Sequence, residues 1–404
     1  MDLSALPLKR IAIICSILLL IAGVIFALWA VKWIPVAQNP NSGDVDTPLR
    51  TPQQPVGGLG AKNLPTGSGI PATSTPPVAP AAPGPEQVFF SSLTISLAND
   101  PTGGMVAFNP STSTFIHIDS NGNASNKSEE RFFDVKGITW SHDRGMAVIE
   151  DANGKSIYNF NTKERIALPS NWEEFSFSPD NRSIAFKNLG KNSNSQWLAT
   201  TNLTTGKINL ITQLGNEANR VHVDWAPGNT ALGFITIPTD GNAQQLSFIN
   251  PDGAFASSTP IEGAFFRSRW AESGKLFVFS TADVDNALTP RLWVGLGSGE
   301  HRGAYQELSL TTTADQCTFG GLNDRLLICA VPDARDAASY GLLGDIPLVP
   351  HRIVALDLAT GIPKTIYTPT TPTTIKSPVI AKDAKKIYFT NVTTGQVETV
   401  PLPQ

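Results

Sequence analysis

The amino-acid sequence predicts an all-β repeat domain over residues 87–404, and three observations support that fold class. Charged residues make up only 16% of the chain, while Thr, Ser, Asn, Gly and Pro are abundant, a balance typical of short strands joined by many turns. A strand–turn–strand unit recurs along the domain. The first fifth of the chain has a different composition, which leaves about 315 residues for one large core.

The N-terminal segment predicts a single membrane-spanning helix. Ile11 to Val31 carries no charge and would form about 31 Å of helix, enough to cross a bilayer core. A cleaved signal peptide is the alternative, but its apolar stretch is shorter, about 7 to 15 residues. We therefore expect a signal anchor over 11–34. Lys9 and Arg10 precede it, so residues 1–10 are expected in the cytoplasm and the rest of the chain outside the cell membrane.

Residues 35–86 predict a disordered linker. This stretch contains twelve prolines among 52 residues and almost no large apolar side chains. Such a composition buries too little surface to offset the entropy lost on ordering. The domain is therefore expected to be tethered to the membrane while remaining free to move.

The repeat unit consists of an apolar strand that ends in an aromatic or apolar residue, a short polar turn and a second apolar strand. Copies begin at Trp140, Phe177, Trp225, Trp270, Phe319 and Ile380. They are 37 to 61 residues apart, close to the ~40 to 50 residues of a four-stranded propeller blade. A divergent unit over Leu93 to Glu130 makes seven. The sequence therefore predicts a seven-bladed β-propeller, with six or eight blades as alternatives.

The last unit supplies only three strands and ends with Val397 to Leu402. We expect Val88 to Phe90 to add the fourth strand. This arrangement would close the ring and remove an open sheet edge.

The turn pattern Ser/Ala-Pro-Asp/Gly after an aromatic residue resembles the TolB-type, WD-like propeller repeats of bacterial envelope proteins. The resemblance covers about 310 residues and is strongest at Phe177 to Phe186. It departs in the units at Phe319 and Ile380, which lack the proline. TolB itself has six blades and a separate N-terminal domain that is absent here. The resemblance therefore implies the fold and not the function of TolB.

Several classes of function lack support in the sequence. The net charge of −4 argues against nucleic acid as a partner. The five histidines form no His-x-His or His-x-x-x-His pair, so neither a transition metal nor another cofactor is predicted. Asp119, Asn121, Asn123 and Glu130 match oxygen-ligand spacing for calcium, but Ala124 stands where such a loop needs Gly. A solvated hairpin turn is the simpler interpretation.

The leading hypothesis is a non-catalytic protein-interaction or scaffold module of the cell envelope, since no nucleophile–base set emerges. One alternative is an extracytoplasmic hydrolase or lactonase using Asp283, Asp285, Asp336 and Asp345. Another is a carbohydrate or cell-wall binding module using Trp172, Trp197 or Tyr340. The sequence leaves the ligand and the oligomeric state open.

We expect the working surface to be the face that carries the loops between second and third strands and the connections between blades. The turns on the opposite face are uniformly short, whereas these loops vary and include the long excursion Val331 to His351. Long loops on a rigid scaffold concentrate binding residues. The candidates are Trp172, Arg267, Asp283, Asp285, Arg335, Asp336, Tyr340 and Asp345.

Cys317 and Cys329 are predicted to form a disulfide. They lie symmetrically about Asn323, the middle of a turn between two antiparallel strands, so they face each other across the pair. A location outside the cell membrane permits oxidation. Two buried free thiols are the alternative.

Overall fold

The structure, a computed structural model, describes residues 87–239, 241–320, 324–333 and 349–402. These residues form seven antiparallel four-stranded sheets, the blades of a β-propeller, which confirms the predicted fold and blade number. The predicted membrane helix and linker lie outside the described residues. Within those residues, no helix has the length and apolar character needed to cross a membrane.

Strand β1 (Gln87–Phe90) precedes the first complete blade. The strands of blades 1 to 3 follow it in chain order. They are β2 (Ile95–Asn99), β3 (Met105–Asn109), β4 (Thr114–Ile118), β5 (Ala124–Asn126), β6 (Gly137–Trp140), β7 (Met146–Asp151), β8 (Gly154–Asn159), β9 (Glu164–Leu168), β10 (Trp172–Phe177), β11 (Ser183–Leu189), β12 (Gln196–Asn202) and β13 (Ile208–Gln213).

Blades 4 to 7 continue the same pattern. Their strands are β14 (Val221–Val223), β15 (Gly233–Pro238), β16 (Ala243–Ile249), β17 (Phe255–Glu262), β18 (Ala264–Trp270), β19 (Leu276–Asp283), β20 (Thr289–Leu296), β21 (Tyr305–Leu308), β22 (Cys317–Gly320), β23 (Leu326–Pro332), β24 (His351–Asp357), β25 (Ile362–Tyr367), β26 (Ile375–Ile380), β27 (Lys386–Asn391) and β28 (Val397–Pro401). Short 3₁₀ helices span Ser193–Ser195, Gly215–Arg220 and Ala314–Gln316.

The N-terminal strand closes the ring, as the sequence predicts. Strand β1 pairs antiparallel with β28 and becomes the outermost strand of blade 7. Val88 lies opposite Glu398, and Phe90 lies opposite Val397. Phe89 also packs against Tyr388, with ring centroids 4.6 Å apart. The first and last strands of the domain are thereby held in one sheet.

The hydrophobic core is divided among the junctions between neighbouring blades. Seven apolar clusters are present in the described residues, and each contains side chains from two adjacent blades. The cluster that joins blades 7 and 1 includes Tyr388 and Ile116. Because apolar area removed from water is the main stabilising term in folding, the ring is held together by blade-to-blade packing as well as by hydrogen bonds.

The repeat aromatic residue Trp140 shows how such rings take part in this packing. The Trp140 ring stacks on Phe160 at 5.5 Å between centroids. Its indole Nε1 donates a hydrogen bond of 2.9 Å to the Ser96 carbonyl of blade 1. The ring therefore serves the junction of two blades and is not free to stack on a ligand.

The connectivity gives the propeller two different faces. We call the side with the second-to-third strand loops and the inter-blade connections the loop face, and the opposite side the turn face. On the turn face, the first-to-second strand turn of each of six blades contains the same kind of backbone hydrogen bond. In each, an N–H group donates to the carbonyl of the residue three positions earlier. The donors are the N–H groups of Gly103, Arg144, Asn181, Asn229, Gly274 and Ala384. This uniformity matches the turn pattern in the sequence.

Four innermost strands contain a bulge that the sequence did not reveal. In each, pairing with the second strand shifts register, and one residue has a positive φ. These residues are Ser96, Glu174, Phe265 and Ser377, with φ of 57°, 49°, 56° and 51°. A bulge re-aims the side chain of the extra residue. The inner wall of the ring therefore presents side chains that a regular strand would direct elsewhere.

Cys317 and Cys329 lie directly opposite each other on β22 and β23, with Cα atoms 4.0 Å apart. Their sulfur atoms are bonded. Both residues are fully buried in the cluster between blades 5 and 6. The crosslink joins the two innermost strands of blade 6 at the positions expected from the symmetry of the turn.

Candidate functional site

One predicted site residue, Trp172, belongs to the core. It was expected to be exposed on the loop face, but only 7% of it is accessible. Its ring stacks on Phe186 of the neighbouring strand with centroids 3.7 Å apart. Trp172 is the first residue of β10 and pairs with Asn188 of β11 in the same blade, so strand β11 covers its ring. Trp172 is therefore a packing residue and not a surface contact.

Asp283 and Asp285 lie where the second-to-third strand loop of blade 5 begins. The Asp283 carboxylate accepts hydrogen bonds from the Asn242 side chain at 2.9 Å and from the Asp285 N–H at 3.1 Å. The Asn242 side-chain oxygen in turn accepts one from the Val284 N–H at 3.2 Å. These contacts join the blade 4 loop to the blade 5 loop, so the two loops present one continuous surface.

The same blade 5 loop holds two strained residues. Ala287 and Leu288 have φ of 51° and 57°, in the left-handed region that non-glycine residues rarely adopt. Such conformations cost about 1–3 kcal/mol each and cluster at functional sites. A glycine would adopt this conformation without the steric cost, but neither residue is a glycine. The strained backbone therefore lies in a loop that is exposed to solvent. This feature marks the loop as a candidate binding element.

Arg267 lies on the innermost strand of blade 5. Its guanidinium donates a hydrogen bond of 3.3 Å to the Asp315 carboxylate. Asp315 belongs to the 3₁₀ helix that precedes blade 6. Both side chains are more than a third exposed, so the pair contributes little to stability. It places one charge of each sign beside the inner edge of the loop face.

Phe265 is the most unusual residue of this face. It occupies the bulge of β18 with a φ of 56°, yet 43% of it is exposed. Ser96 and Ser377 occupy the same position in blades 1 and 7, and Glu174 occupies it in blade 3. A bulky residue in this backbone region is an outlier, and exposure of its ring gives no folding benefit. The sequence could not single it out, because an apolar residue in a strand is expected to be buried.

Two further exposed apolar residues lie near Phe265 in the chain topology. Val284 follows β19 and is 50% exposed, and Ile237 near the end of β15 is 36% exposed. Both lie at the loop-face ends of second strands, in blades 5 and 4, which Asn242 ties together. We call Ile237, Phe265 and Val284 the blade 4–5 patch. Arg267 and Asp285 flank it with opposite charges.

Exposed apolar side chains are not spread evenly over the two faces. Among the described residues, the large ones outside the outermost strands all lie on the loop face, and none lies in a turn of the turn face. They are Leu93, Ile95, Phe133, Ile237, Phe265 and Val284. This distribution favours the loop face as the contact surface. The remaining predicted site residues, Arg335, Asp336, Tyr340 and Asp345, lie outside the described residues.

The Asp119 turn is explained by its own hydrogen bonds. The carboxylate accepts the N–H groups of Asn121 and Asn123, both at 2.9 Å, and the Asn123 amide at 3.0 Å. These bonds hold the pKa of Asp119 below its usual value, the side-chain bond from Asn123 being the main cause. The carboxylate oxygens of Asp119 are therefore engaged in stabilising the turn.

A polar cluster lies at the inner wall between blades 4 and 5. The Asp224 carboxylate accepts a hydrogen bond of 2.6 Å from Ser268, and the Trp270 indole donates to the Asp224 carbonyl at 3.3 Å. Burial raises the pKa of Asp224 to about 7, although Ser268 and the positive charge of Arg269 both oppose the rise. A carboxyl group with a pKa near neutrality at an inner wall is a feature of functional sites.

Fold and surface together define a seven-bladed β-propeller with exposed apolar side chains on its loop face. No protein-family model matches the chain, and no curated protein matches it by sequence. Solved structures do match it. The β-propeller domain of Cps50 (Swd1) from Myceliophteria thermophila aligns with 78% of this chain and 98% of its own, at a TM-score of 0.53 and 8% identity.

Two other similar structures are of different kinds of protein. An oligogalacturonate lyase in complex with manganese covers 80% of this chain and 99% of its own, with 14% identity and a TM-score of 0.49. TolB from Acinetobacter baumannii covers 76% of this chain and 79% of its own, with 11% identity and a TM-score of 0.39. At these identities the similarity establishes the propeller fold alone, and it selects no activity.

Proposed function

We propose that this chain is a membrane-anchored, extracytoplasmic scaffold that binds another protein of the cell envelope through the blade 4–5 patch. The observation that carries the proposal is Phe265, a ring held exposed by a strained bulge on the loop face. Aromatic anchors near the centre of a patch supply much of the energy of protein interfaces. An exposed apolar patch with a charged rim is the usual anatomy of such a surface.

The flanking groups fit a protein partner. Arg267 and Asp285 offer one charge of each sign, which favours a partner with both signs at matching positions. The bonds between Asn242 and the blade 5 loop limit the freedom of the surface. A surface that is already ordered loses less entropy on binding.

The proposal is tested by crosslinking in intact cells followed by recovery of the propeller and its partners. The test variant is Phe265→Ser, because Ser96 and Ser377 already occupy the same bulge in other blades. The matched control is Phe255→Ser, which removes a ring that is 55% exposed on an outermost strand of blade 4. Loss of a central aromatic anchor is expected to lower recovery of the partner about tenfold or more, while the control leaves recovery unchanged.

Two results would contradict the proposal. In the first, recovery falls with Phe255→Ser and survives Phe265→Ser while both variants remain folded. In the second, the wild-type protein is retained on purified cell-wall polysaccharide and Phe265→Ser abolishes that retention. This second result would assign the patch to a carbohydrate.

A further inference from the structure

The junction between blades 6 and 7 differs from other junctions at its outer edge on the turn face, and this feature does not depend on the proposed function. In blades 1, 4 and 5, the turn between the third and the outermost strand packs on the outermost strand of the preceding blade. A Cβ atom added at Gly122 of blade 1 or Gly253 of blade 4 would come within 3.0 Å of a carbonyl oxygen of that strand. In blade 5, the Thr259 hydroxyl of β17 donates a hydrogen bond of 3.2 Å to the Gly303 carbonyl in the turn. These turns cover the outer edge of their junctions.

Blade 7 has no such turn, because its third and outermost strands come from opposite ends of the domain. Strand β28 ends at Pro401, and strand β1 begins at Gln87. Of the described residues, Leu402 alone follows β28. Its N–H donates a hydrogen bond of 2.7 Å to the Lys385 carbonyl in the first turn of the same blade. The edge that a turn covers in blades 1, 4 and 5 is therefore not covered by a turn here.

A groove of about 360 Å³ lies at this edge. Strands β23, β24 and β25 of blade 6 form one side of it, and the residue after β28 of blade 7 forms the other. The apolar lining residues are Leu326, Ala355, Ile362, Ile366 and Leu402. Ile362 is 67% exposed, the largest exposed fraction among the large apolar side chains of the described residues. We call this cavity the closing groove.

The chain that precedes β1 reaches the propeller beside the closing groove. Strand β1 pairs antiparallel with β28, and Gln87 lies opposite Thr399. Because the two strands run in opposite directions, the residues before Gln87 come from the side to which β28 leads, where Leu402 lines the groove. The N-terminal segment therefore arrives at the groove on the turn face.

Val88 shows which face of β1 lies toward blade 6. It lies opposite Glu398, and directly opposite residues of an antiparallel pair share a face. Val400, two residues after Glu398, lies on that face as well, and it packs in the cluster between blades 6 and 7. Val88 is 56% exposed there. The same alternation predicts that Glu86, two residues before Val88, also faces blade 6.

The sequence before β1 suits an apolar groove of this size. No charged residue lies between Lys62 and Glu86, and Ala82 to Pro85 reads Ala-Pro-Gly-Pro. Proline-rich segments favour the polyproline II conformation, so they lose little entropy when they dock. Ile362 and Ile366 lie four residues apart on β25, which is about 13 Å of strand. Four residues of polyproline II cover about 12 Å.

The charged groups of the groove also suit this segment. Asp357 is already paired with Arg325 through hydrogen bonds of 2.9 and 2.7 Å. Lys364 lies between the two isoleucines of β25 and lines the groove. Its side chain is exposed, and among the described residues it makes no ion pair within 4.0 Å. A carboxylate that enters from the turn face, such as that of Glu86, would complement this ammonium group.

We propose that Ala82 to Glu86 dock in the closing groove, with the Glu86 carboxylate paired with Lys364. The segment takes the place that the turn between the third and outermost strands has in blades 1, 4 and 5. The linker predicted over residues 35–86 then ends at Ala81. The tether leaves the propeller from the turn face, so the loop face is directed away from the point of attachment.

Hydroxyl-radical footprinting with mass spectrometry tests the proposal on the full-length protein. The test variant replaces Ala82 to Glu86 with five residues of Gly and Ser, and the matched control replaces Pro71 to Thr75 in the same way. Neither replacement alters a strand of the propeller. We expect Ile362 to be oxidised several-fold faster in the test variant than in the wild type or the control, because the docked segment covers it. Phe255, which is 55% exposed on β17, should react at the same rate in all three proteins.

Charge reversal tests the pairing. Lys364→Glu is expected to raise the oxidation rate of Ile362 toward that of the test variant, because two carboxylates would then face each other. The double variant Glu86→Lys, Lys364→Glu should restore the protection. The control Lys207→Glu changes an equally exposed lysine in the third-to-outermost turn of blade 3 and should leave the rate unchanged.

Three results would overturn the proposal. One is equal oxidation of Ile362 in the wild type and the test variant. Another is a rate in Lys364→Glu equal to that of the wild type, or a double variant as reactive as Lys364→Glu. The third is protection that disappears on dilution of the wild type, which would assign the groove to a second copy of the chain.

Discussion

Ser268 of blade 5 donates a hydrogen bond of 2.6 Å to the Asp224 carboxylate of blade 4, across the junction of the two innermost strands. Burial nevertheless raises the pKa of Asp224 to about 7 from its ordinary value of 3.8. The folded protein therefore holds a proton that the unfolded chain has released over the range between these two values. Unfolding in that range releases the proton, so stability falls as pH rises from about 4 to about 7 and is constant beyond it.

Replacing Asp224 with Asn is expected to remove this pH dependence. Asn can still accept the Ser268 hydrogen bond but carries no charge to bury. At pH 8 the variant should be more stable than the wild type, by at most about 4 kcal/mol at 1.36 kcal/mol per pKa unit, and the advantage should vanish near pH 4. Urea unfolding at both pH values measures the difference. A variant less stable than the wild type at pH 8 would show that the ionised form is not disfavoured.

Removing the closing strand is expected to destabilise the whole ring. A chain that begins at Ser91 lacks β1, so it loses the packing of Phe89 on Tyr388 and exposes the edge of β28. We expect a loss of about 3 kcal/mol or more, the range for a large aromatic residue, together with aggregation through the open edge. A chain that begins at Gln87 is the control and should melt close to the full-length protein. Thermal melting with light scattering compares the two, and equal behaviour would contradict a closing role.

The Cys317–Cys329 crosslink is expected to form in the native protein and to stabilise it. The two residues are 12 positions apart, for which the chain-entropy model gives about 3 kcal/mol. A Cys317→Ser, Cys329→Ser double variant should lose roughly that amount, and adding reductant should lower the melting temperature of the wild type but not of the variant. Peptide mapping without reduction locates the bond. Two free thiols in a native sample would instead support two separate buried cysteines.

The repeat pattern predicted the fold well because every blade is built from the same sequence of strands and turns. An apolar second strand follows a tight polar turn, so the copies at Phe177, Trp225 and Trp270 are visible without a structure. The closing strand was also predictable, because the last unit had only three strands. Both inferences depend on local patterns that the chain repeats.

The candidate site was less predictable, because it depends on contacts between different blades. Trp172 follows a polar stretch, which predicts a surface residue, but its ring packs on Phe186 of the next strand. An apolar residue in a strand is expected to be buried, but the bulge at Phe265 leaves its side chain exposed. The four bulge positions hold Ser, Glu, Phe and Ser and no glycine, so no sequence signal marks the left-handed backbone.

The N-terminal segment is expected to keep the protein in the membrane fraction. Residues 11–31 form an uncharged apolar stretch after Lys9 and Arg10, so we expect the propeller to lie outside the cytoplasm. Protease added to intact cells with a permeable outer layer should therefore digest the propeller and spare residues 1–10. Recovery of a soluble chain that begins near Gln38 would mean that the segment is cleaved as a signal peptide.

Lys187 is expected to be the most sensitive charged residue of the junction between blades 3 and 4. Its side chain is only 6% exposed, and its ammonium donates to Glu174 at 2.8 Å and to the carbonyls of Ala218 and Val221 at 3.1 Å. Glu174, from the bulge of β10, also accepts the Val223 N–H at 3.1 Å. The two side chains therefore tie the innermost strands of the two blades together.

Lys187→Met keeps the length of the side chain but leaves two buried carbonyls and one carboxylate without their donor. We expect a loss of about 1–3 kcal/mol, the range for leaving buried acceptors unsatisfied, because the Glu174 side chain is 44% exposed and remains hydrated. The double variant Lys187→Met, Glu174→Gln should recover part of that loss, because the uncompensated negative charge is gone. Chemical unfolding of the two variants and of Glu174→Gln completes a double-mutant cycle. If Lys187→Met lowers the free energy of unfolding by less than about 1 kcal/mol, the ammonium group is not needed at the junction. The apolar packing between blades 3 and 4 would then be sufficient to hold the junction together.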